Sequence, residues 1–310
     1  MNRMIVIIFL FLRLATPAQQ HDQSIKRSVS FTFDDLPSTT SFESGHIIQT
    51  ITEKLRADNV PAIGFVNEIK LYKEDKADSV QIALLEHWLD RGLELGNHSF
   101  SHISIDNVPL DQYKADILRG EKITKHLLNE RGKKLRYYRH TQLRTGPTPE
   151  IKNELDDFLL THSYIVAPIT IDNNDYIFAD VYARAKLKKD TAMMRTISSA
   201  YLKYMKEVVK HFEEVSRYIL GYEVRQILLL HANSLNADHL QSLIQLFKDR
   251  DYKFISLDEA LEDPAYQLRE VSVKKGLSWL HRWTLAKGLE IREEPREPER
   301  IGELFRTYGR

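Results

Sequence analysis

Hydrophobic and polar positions follow two distinct patterns along the chain beyond residue 25. Short apolar runs, typical of strands buried on both faces, alternate with longer stretches in which apolar residues return every three or four positions. The predicted strands are Ser28–Phe33, Ala62–Val66, Leu93–Gly96, Leu135–Arg139, Tyr164–Ile171, Gln226–Leu230 and Lys253–Leu257. Because helical stretches separate them, these strands predict βαβ units and a parallel sheet.

Helical spacing is clearest in the segments 47–55, 113–127, 191–220 and 240–247. The longest of them, 191–220, carries one stripe of methionine, aromatic and aliphatic residues. We interpret that stripe as hydrophobic core, because such stripes pack against a sheet far more often than they hold a cofactor. Seven strands with intervening helices predict the α/β class and a distorted or incomplete (β/α) barrel of parallel strands.

The N-terminal segment differs from this pattern. Arg3 precedes an apolar run from residue 4 to residue 12, and Thr16-Pro17-Ala18 supplies small residues where a signal peptidase would cut. The run is too short to span a bilayer. It predicts a signal peptide over residues 1–18, export to the periplasm or the extracellular space, and no membrane anchor after cleavage. The alternative is a buried N-terminal strand.

The strand and helix pattern ends after Pro264. We therefore expect a barrel domain over residues 25–263 and a C-terminal extension over residues 264–310. Trp279 and Trp283 lie in this extension, and their large apolar rings predict that it packs back on the barrel. The charged, proline-containing run around Arg292–Arg300 is predicted to be a solvated tail.

Composition narrows the chemistry. The 310 residues include 44 basic and 44 acidic side chains, 12 histidines and no cysteine. The balanced charge argues against a general nucleic-acid binder, which would carry a basic excess. The lack of cysteine excludes disulfides, a thiol nucleophile, cysteine zinc sites and a lipidated N-terminal cysteine. Histidine, aspartate or glutamate must hold any metal ion.

Polar clusters follow the predicted strands, where the carboxyl ends of parallel strands bind ligands. Asp34-Asp35 follows the first strand; the pair is costly to bury without a cation, and a turn or helix cap is an equal alternative. His98 and His102 follow the third strand and share a face if the segment is helical. Such a pair also occurs by chance. Two imidazoles and one carboxylate would leave coordination positions open, as in catalytic metal sites.

Three further strands end in candidate site residues. Arg139-His140 follows the fourth strand, Asp172-Asn173-Asn174-Asp175-Tyr176 follows the fifth, and His231-Ala232-Asn233 follows the sixth. Each cluster is weak evidence alone, because a buried arginine can serve only to neutralise a carboxylate. Together they form a consistent set.

The ordered series SFTFDD, HSFSH, an arginine after an aromatic strand, DNNDY and LLLHAN resembles the polysaccharide deacetylase family, the NodB-homology domain of carbohydrate esterase family 4. The motifs occur in the family's order over about residues 28–234. The resemblance implies a distorted (β/α) barrel that removes acetyl groups from a sugar polymer with one divalent metal ion, zinc first, with cobalt, nickel or manganese as alternatives.

The resemblance also implies a role for each motif residue. Asp35, His98 and His102 would bind the metal, and Asp34 would be the catalytic base, held by Arg139. His231 would be the acid, with Asp172 behind it. Gln142 would offer a backbone N–H to the oxyanion, Leu230 would face the acetyl methyl group, and Tyr176 would contact the sugar.

Two departures from the family pattern concern the substrate groove. His140-Thr141-Gln142-Leu143 stands where the family has prolines and an aromatic residue, and Tyr176 stands where tryptophan is usual. Neither departure removes a ligand or a proton-transfer group, so we expect an active, exported deacetylase of an acetylated glycan, most simply one containing N-acetylglucosamine. The alternatives are a metal-dependent amidohydrolase of a small non-sugar substrate and a glycan-binding module without turnover.

Overall fold

The computed structural model describes residues 27–308, and its central feature is a parallel sheet of seven strands. The described residues form nine strands in all, seven of them in this sheet: β1 (Ser28–Leu36), β2 (Ala62–Val66), β3 (Tyr72–Lys73), β4 (Lys76–Ala77), β5 (Glu94–Asn97), β6 (Tyr137–Tyr138), β7 (Ile165–Val166), β8 (Gln226–His231) and β9 (Lys253–Phe254). The sheet runs β7-β6-β5-β2-β1-β8, with β9 also paired to β1, while β3 and β4 form a separate antiparallel hairpin. A bridge between Ile171 and Leu228 brings the segment after β7 against β8. The sheet thus curls into a half-barrel, which confirms the predicted distorted (β/α) barrel.

Eleven α-helices surround this sheet within residues 27–308. They are α1 (Ser44–Ala57), α2 (Ser79–Asp90), α3 (Leu110–Arg119), α4 (Lys122–Asn129), α5 (Pro149–Thr161), α6 (Asp175–Leu187), α7 (Thr191–Leu220), α8 (Ser234–Lys248), α9 (Leu257–Leu261), α10 (Trp279–Ala286) and α11 (Glu299–Thr307). Short 3-10 turns cover Glu68–Leu71, Thr141–Leu143 and Pro264–Gln267. The predicted bounds of α7 match the structure, since one apolar stripe runs its whole length and Gly221 ends it at φ 79°.

Side chains of β1 point alternately to the surrounding helices and to the interior of the half-barrel. Phe31 packs edge-on against Phe247 of α8, and Phe33 packs against Trp88 of α2, so both rings face the helices. Successive strand residues point to opposite faces. Thr32 and Asp34 therefore face the interior of the half-barrel. Alternation thus explains how one continuously buried strand ends in a polar site.

Two predicted strands are shorter in the structure. The fifth, expected over Tyr164–Ile171, is a strand only at β7, because Pro168 has no N–H to donate and the chain leaves the ladder there until the bridge between Ile171 and Leu228. The fourth, expected over Leu135–Arg139, is reduced to β6, although the Arg139 N–H still donates to the Asn97 carbonyl at 2.9 Å. The helical stretch 113–127 is divided into α3 and α4 at Gly120.

The C-terminal extension packs on the barrel. Trp279 and Trp283 are buried, as their large apolar rings predict. The backbone N–H of Trp279 donates to the Ile169 carbonyl at 2.7 Å. Within the charge run Arg292–Arg300 the arginines are exposed, while Glu297 accepts a hydrogen bond from Asn174 at 3.1 Å. Ile301, the next residue, is buried in α11. An amphipathic helix follows the charged run and covers α6.

The predicted signal peptide lies outside the described residues. Within residues 27–308, no helix combines the length and the hydropathy that a membrane crossing requires.

Candidate active site

The end of β1 carries two aspartates into one cleft. Asp34 is buried and continues the strand, while Asp35 has left-handed backbone geometry with φ 69°. The register between β1 and β2 shifts between Phe33 and Leu36 at this point. Two successive strand residues would otherwise face opposite sides of the sheet. The left-handed turn at Asp35 is what allows both carboxylates to line the same cleft.

Asp34 lies between an arginine and a histidine. Its Oδ1 is 3.4 Å from Arg139 Nη1, and its Oδ2 is 3.7 Å from His98 Nε2. Arg139 is itself fully buried, donates to Thr32 Oγ1 at 3.2 Å and lies over the Phe65 ring. The guanidinium is thus held by side chains of β1 and of its neighbour β2.

A loop rather than a helix brings His98 and His102 together. Ser99 and His102 both have left-handed backbone geometry, with φ 66° and 56°. Asn97 Oδ1 accepts the Ser99 N–H at 2.7 Å, and Asp116 Oδ2 accepts the Ser101 N–H at 3.0 Å. The imidazole centroids lie 4.9 Å apart. The helical spacing considered for this pair is absent, but the tight loop produces the same juxtaposition.

Three side chains in this cleft have the geometry of a metal site. One ligand atom from each of Asp35, His98 and His102 lies within 4.8 Å of the other two. His98 Nδ1 donates to the Arg139 carbonyl at 2.9 Å, which leaves Nε2 facing the cleft as a neutral donor atom. Mainly because of burial, the pKa of each histidine is lowered to about 4. Neutral imidazoles and an ionised carboxylate suit a divalent cation such as zinc.

Asp175, and not Asp172, is the carboxylate behind His231. Asp175 Oδ1 accepts from His231 Nδ1 at 2.6 Å, while Oδ2 accepts the His231 N–H at 2.9 Å. Asn236 Nδ2 donates to the same Oδ2 at 2.5 Å. The prediction for Asp172 is wrong because Asn173 anchors the loop to Leu229 at 2.6 Å, so that α6 begins at Asp175 with its first carboxylate directed at β8.

The pKa values of Asp34, His231 and Asp172 are shifted by burial and by neighbouring charges. Burial raises the pKa of Asp34, although Arg139 and His231 act in the other direction. Burial would lower the pKa of His231, but the Asp175 carboxylate outweighs it and raises that pKa to about 10. Burial, and next the Glu294 carboxylate, raises the pKa of Asp172 to about 7. A buried Asp34 carboxyl with a raised pKa and a His231 imidazole that is protonated at neutral pH therefore face the same cleft.

Comparison with known proteins agrees with this geometry. Residues 21–153 match the family model described as polysaccharide deacetylase. This part of the chain, less than half of it, is similar to the polysaccharide deacetylase family. No curated protein matches it in sequence.

Solved structures share the fold. A mutant of a carbohydrate esterase family 4 pseudoenzyme from Bacillus anthracis is 17% identical, with a TM-score of 0.50, over 76% of this chain and 67% of that one. A peptidoglycan deacetylase from Bacillus subtilis is 17% identical, with a TM-score of 0.48, over 76% of this chain and 91% of that one. A family 4 carbohydrate esterase from Bacillus anthracis is 19% identical, with a TM-score of 0.48, over 77% of this chain and 84% of that one.

Two further predicted site residues, Gln142 and Tyr176, lie in segments that follow the strands of the cleft. Gln142 has an exposed side chain and left-handed backbone geometry with φ 55°, in the loop directly after Arg139. Tyr176 is 51% exposed and contacts Phe305 of α11 edge-on at 6.2 Å. Its position at the start of α6 makes it a neighbour of Asp175 in the chain.

Leu230 does not face the cleft. It pairs in register with Phe33, whose ring packs on α2, while His231 pairs with Asp34. Partners in register on parallel strands direct their side chains to the same face of the sheet. Leu229, the partner of Thr32, is therefore the residue of β8 that shares the inner face with His231. The prediction for Leu230 is one residue out of phase.

Lys70 also contacts the Asp35–His98–His102 cluster, although no sequence motif pointed to it. It lies in the 3-10 turn after β2, with Nζ 3.7 Å from Asp35 Oδ1 and 3.1 Å from the Asp35 carbonyl oxygen. Lys70 and His102 outweigh burial and hold the pKa of Asp35 well below its ordinary value. The position of Lys70 could have identified it, because residues that follow the carboxyl end of β2 lie at the same edge of the sheet as the other motifs.

Proposed function

We propose that the protein is an exported, metal-dependent hydrolase that removes acetyl groups from an acetylated glycan, most simply one containing N-acetylglucosamine. The observation that carries this proposal is the cleft in which Asp34, the Asp35–His98–His102 cluster and the Asp175–His231 pair face one another. Base, cation site and acid are the three elements that hydrolysis of an acetyl group needs.

Asp35, His98 and His102 would hold one divalent ion, with zinc as the first candidate and cobalt, nickel or manganese as others. When bound, such an ion supplies Lewis acidity, which polarises an acetyl carbonyl and lowers the pKa of a nearby water. The hydrogen bond from His98 Nδ1 to Arg139 fixes the imidazole in the orientation that a ligand needs.

Asp34 would act as the general base. Its Oδ1 faces Arg139 Nη1 at 3.4 Å, and its Oδ2 is on the side of His98, where the proton of a water in the cleft would be accepted. Burial raises its pKa towards neutrality, where a carboxylate is a more effective base, while Arg139 favours the ionised form. Arg139 thus positions Asp34 and limits the effect of burial.

His231 would be the general acid. Asp175 holds its Nδ1 proton, and Asn236 holds Asp175 in turn, so Nε2 is left to protonate the departing amine or alcohol. The raised pKa keeps the imidazole protonated at neutral pH. The Gln142 backbone N–H in the loop after Arg139 would stabilise the oxyanion, and Tyr176 would contact the sugar at the rim.

Acetate release tests the proposal. Chitooligosaccharides, peptidoglycan fragments and acetylated xylan should each be incubated with the purified protein, with and without a chelator, and acetate measured enzymatically. We expect chelator-sensitive release from at least one glycan. No such release from any of them would overturn the assignment; turnover of a cyclic amide alone would favour the small-molecule amidohydrolase, and tight sugar binding without turnover would favour the binding module.

A further inference from the structure

The loop after Arg139 has a strained backbone. Gln142 and Leu143 have φ of 55° and 54°, so two successive residues with side chains adopt the left-handed conformation. Residues with a Cβ are strained in this conformation and keep it only where their surroundings hold them. Arg139, from which the loop starts, contacts Asp34 in the cleft. The contacts that hold the loop therefore bear on the geometry of the cleft.

This conformation directs one backbone N–H away from the loop. The Thr141 carbonyl accepts the Arg144 N–H at 3.1 Å, and the His140 carbonyl accepts the Leu143 N–H at 3.1 Å. A trans peptide bond places its N–H opposite to its C=O. Because the Thr141 carbonyl faces Arg144, the Gln142 N–H of the same peptide group faces the other way. It is thus directed to a partner outside the loop, as the donor proposed for the oxyanion must be.

The C-terminal extension contacts the carbonyls of both left-handed residues. Arg282 of α10 is fully buried and donates to the Leu143 carbonyl at 2.7 Å and to Thr145 Oγ1 at 2.9 Å. Gly276 lies against the Gln142 carbonyl, since a Cβ added at this glycine would be 2.0 Å from that oxygen. The extension therefore limits how far the loop can relax from its left-handed conformation.

Arg282 is itself held in place by neighbours within the extension. Its Nη1 also donates to the Val271 carbonyl at 3.0 Å, and its Nε lies 3.7 Å from Glu270 Oε2. The guanidinium lies 5.3 Å from the centre of the Trp279 ring. Planar guanidinium groups donate in fixed directions, so these contacts set the direction of the remaining donor as well. The guanidinium thus has a fixed position from which it holds the loop.

We propose that Gly276 and Arg282 are positioning residues that hold Gln142 in the conformation that presents its N–H to the oxyanion. The inference rests on the proposed function and deepens it, because it adds two residues outside the segment 21–153 to the acetyl-hydrolysing site. The oxyanion forms only during the reaction, so a well-placed N–H stabilises the transition state more than the bound substrate. Loss of either residue should therefore lower kcat and leave KM nearly unchanged.

Gly276→Ala tests the contact with the Gln142 carbonyl. The added methyl group would displace that carbonyl, and a shift of about 1 Å in a catalytic donor costs about 100-fold in rate. We expect kcat for acetate release to fall by about that factor, with wild-type metal affinity and a KM within about threefold of the wild type. Gly302→Ala in α11 is the matched control, because a Cβ there would meet only the side-chain ends of Arg306 and Glu297, at 3.6 Å. Wild-type kcat in Gly276→Ala would overturn the inference.

Arg282→Lys is a second variant, which keeps the positive charge. An ammonium lacks the fork of donors with which the guanidinium holds the Leu143 and Val271 carbonyls and Thr145 Oγ1 together. We expect kcat to fall by at least about tenfold, again with KM nearly unchanged. A rise in KM at wild-type kcat would contradict a positioning role, because it would place the effect on substrate binding.

Nuclear magnetic resonance provides a readout that does not depend on turnover. Methylphosphonate is a tetrahedral anion that resembles the oxyanion, so its titration into the zinc-loaded protein should move the Gln142 amide proton downfield. This movement should be lost in Gly276→Ala and Arg282→Lys and kept in Gly302→Ala. No movement in the wild type would overturn the inference. Movement without acetate release from any glycan would instead overturn the proposed function.

The wild-type spectra also test the contact without any variant. A Cβ at Gly276 would lie 3.5 Å from the Leu143 Cβ, so an Hα proton of Gly276 and the Leu143 Hβ protons should show a nuclear Overhauser effect. The Gln142 and Leu143 carbon shifts should report positive φ. Absence of the Overhauser effect, or shifts typical of extended residues, would overturn the inference even if both variants fail to fold.

Discussion

Asp34 and Asp35 are adjacent in sequence and yet face the same cleft, because the backbone is left-handed at Asp35. The sequence places two acids at the end of a strand. Both can face one cleft only if the backbone leaves strand geometry at that point. It does not show which of the two is buried beside Arg139, since that depends on which residue is the last to follow the strand. In the structure, Asp34 lies beside the guanidinium and Asp35 beside His102.

The first prediction separates these two carboxylates. Asp34→Asn keeps the shape of the side chain but removes the proton acceptor, so acetate release should fall by at least about 100-fold. Asp35, His98 and His102 are unchanged, so the variant should bind one equivalent of metal as the wild type does. Elemental analysis of the purified protein and a steady-state assay measure the two quantities. Retained activity would mean that another group is the base.

The second prediction concerns the acid. In Asp175→Asn the charge that raises the pKa of His231 is lost, and burial then lowers that pKa below its ordinary value. The imidazolium is lost as pH rises through its pKa, so the alkaline limb of the kcat/KM profile should move from near pH 10 to below about pH 7. Asp172→Asn is the matched control.

Asp172→Asn should leave the alkaline limb near its wild-type position, because Asp172 makes no hydrogen bond to His231. A larger shift in Asp172→Asn than in Asp175→Asn would reverse the assignment. The motif DNNDY contains both acids, and sequence alone cannot choose between them. The choice depends on the side chain of Asn173, which anchors the loop to β8 and fixes the first residue of α6.

At the scale of elements, the loop of residues 98–102 depends on the end of α3. Gly120 closes that helix against the loop, and a Cβ at this position would lie 2.3 Å from the Ser99 carbonyl carbon and 2.5 Å from the Phe100 nitrogen. These are backbone atoms, so no side-chain rotation relieves the overlap. The sequence indicates a helical stretch through residue 120. The reason for the glycine is a tertiary approach that periodicity cannot reveal.

The third prediction follows from this contact. Gly120→Ala should push the backbone between His98 and His102 outward, weaken metal binding on the order of tenfold and destabilise the protein by about 1–3 kcal/mol. Metal titration against a competing chelator and thermal unfolding measure the two effects. Gly45→Ala in α1 is the control, because its Cβ would meet only Leu84, at 4.0 Å. Wild-type metal affinity in Gly120→Ala would show that the loop does not depend on α3.

At the scale of the whole molecule, the C-terminal extension is part of the site's support. Arg282 is fully buried and donates to the Leu143 carbonyl at 2.7 Å and to Thr145 at 2.9 Å, both in the loop after Arg139. A Cβ on Gly276 would lie 2.0 Å from the Gln142 carbonyl oxygen, so the extension presses directly on that loop. The sequence predicts that the tryptophans pack on the barrel, because their rings need burial. The sequence cannot show where the two tryptophans pack, since neither lies in a recognisable motif.

The fourth prediction is that barrel and extension unfold as one unit. Arg282→Met leaves the Leu143, Thr145 and Val271 oxygens without a buried donor, which should cost about 3 kcal/mol and lower the Tm by about 5–10 °C. Two of the three tryptophans, Trp279 and Trp283, report on the extension by fluorescence, while circular dichroism reports on all helices.

The unfolding transitions seen by fluorescence and by circular dichroism should move to lower temperature together in Arg282→Met. The reason is that the extension shares hydrogen bonds with the barrel on several sides. Arg292→Met is the matched control: Arg292 lies over the Tyr218 ring near the surface, and its loss should lower the Tm by no more than about 3 °C. A fluorescence transition well below that seen by circular dichroism would mean that the extension is a separate domain. Its contacts with the loop of Gln142 would then be too weak to support the candidate site.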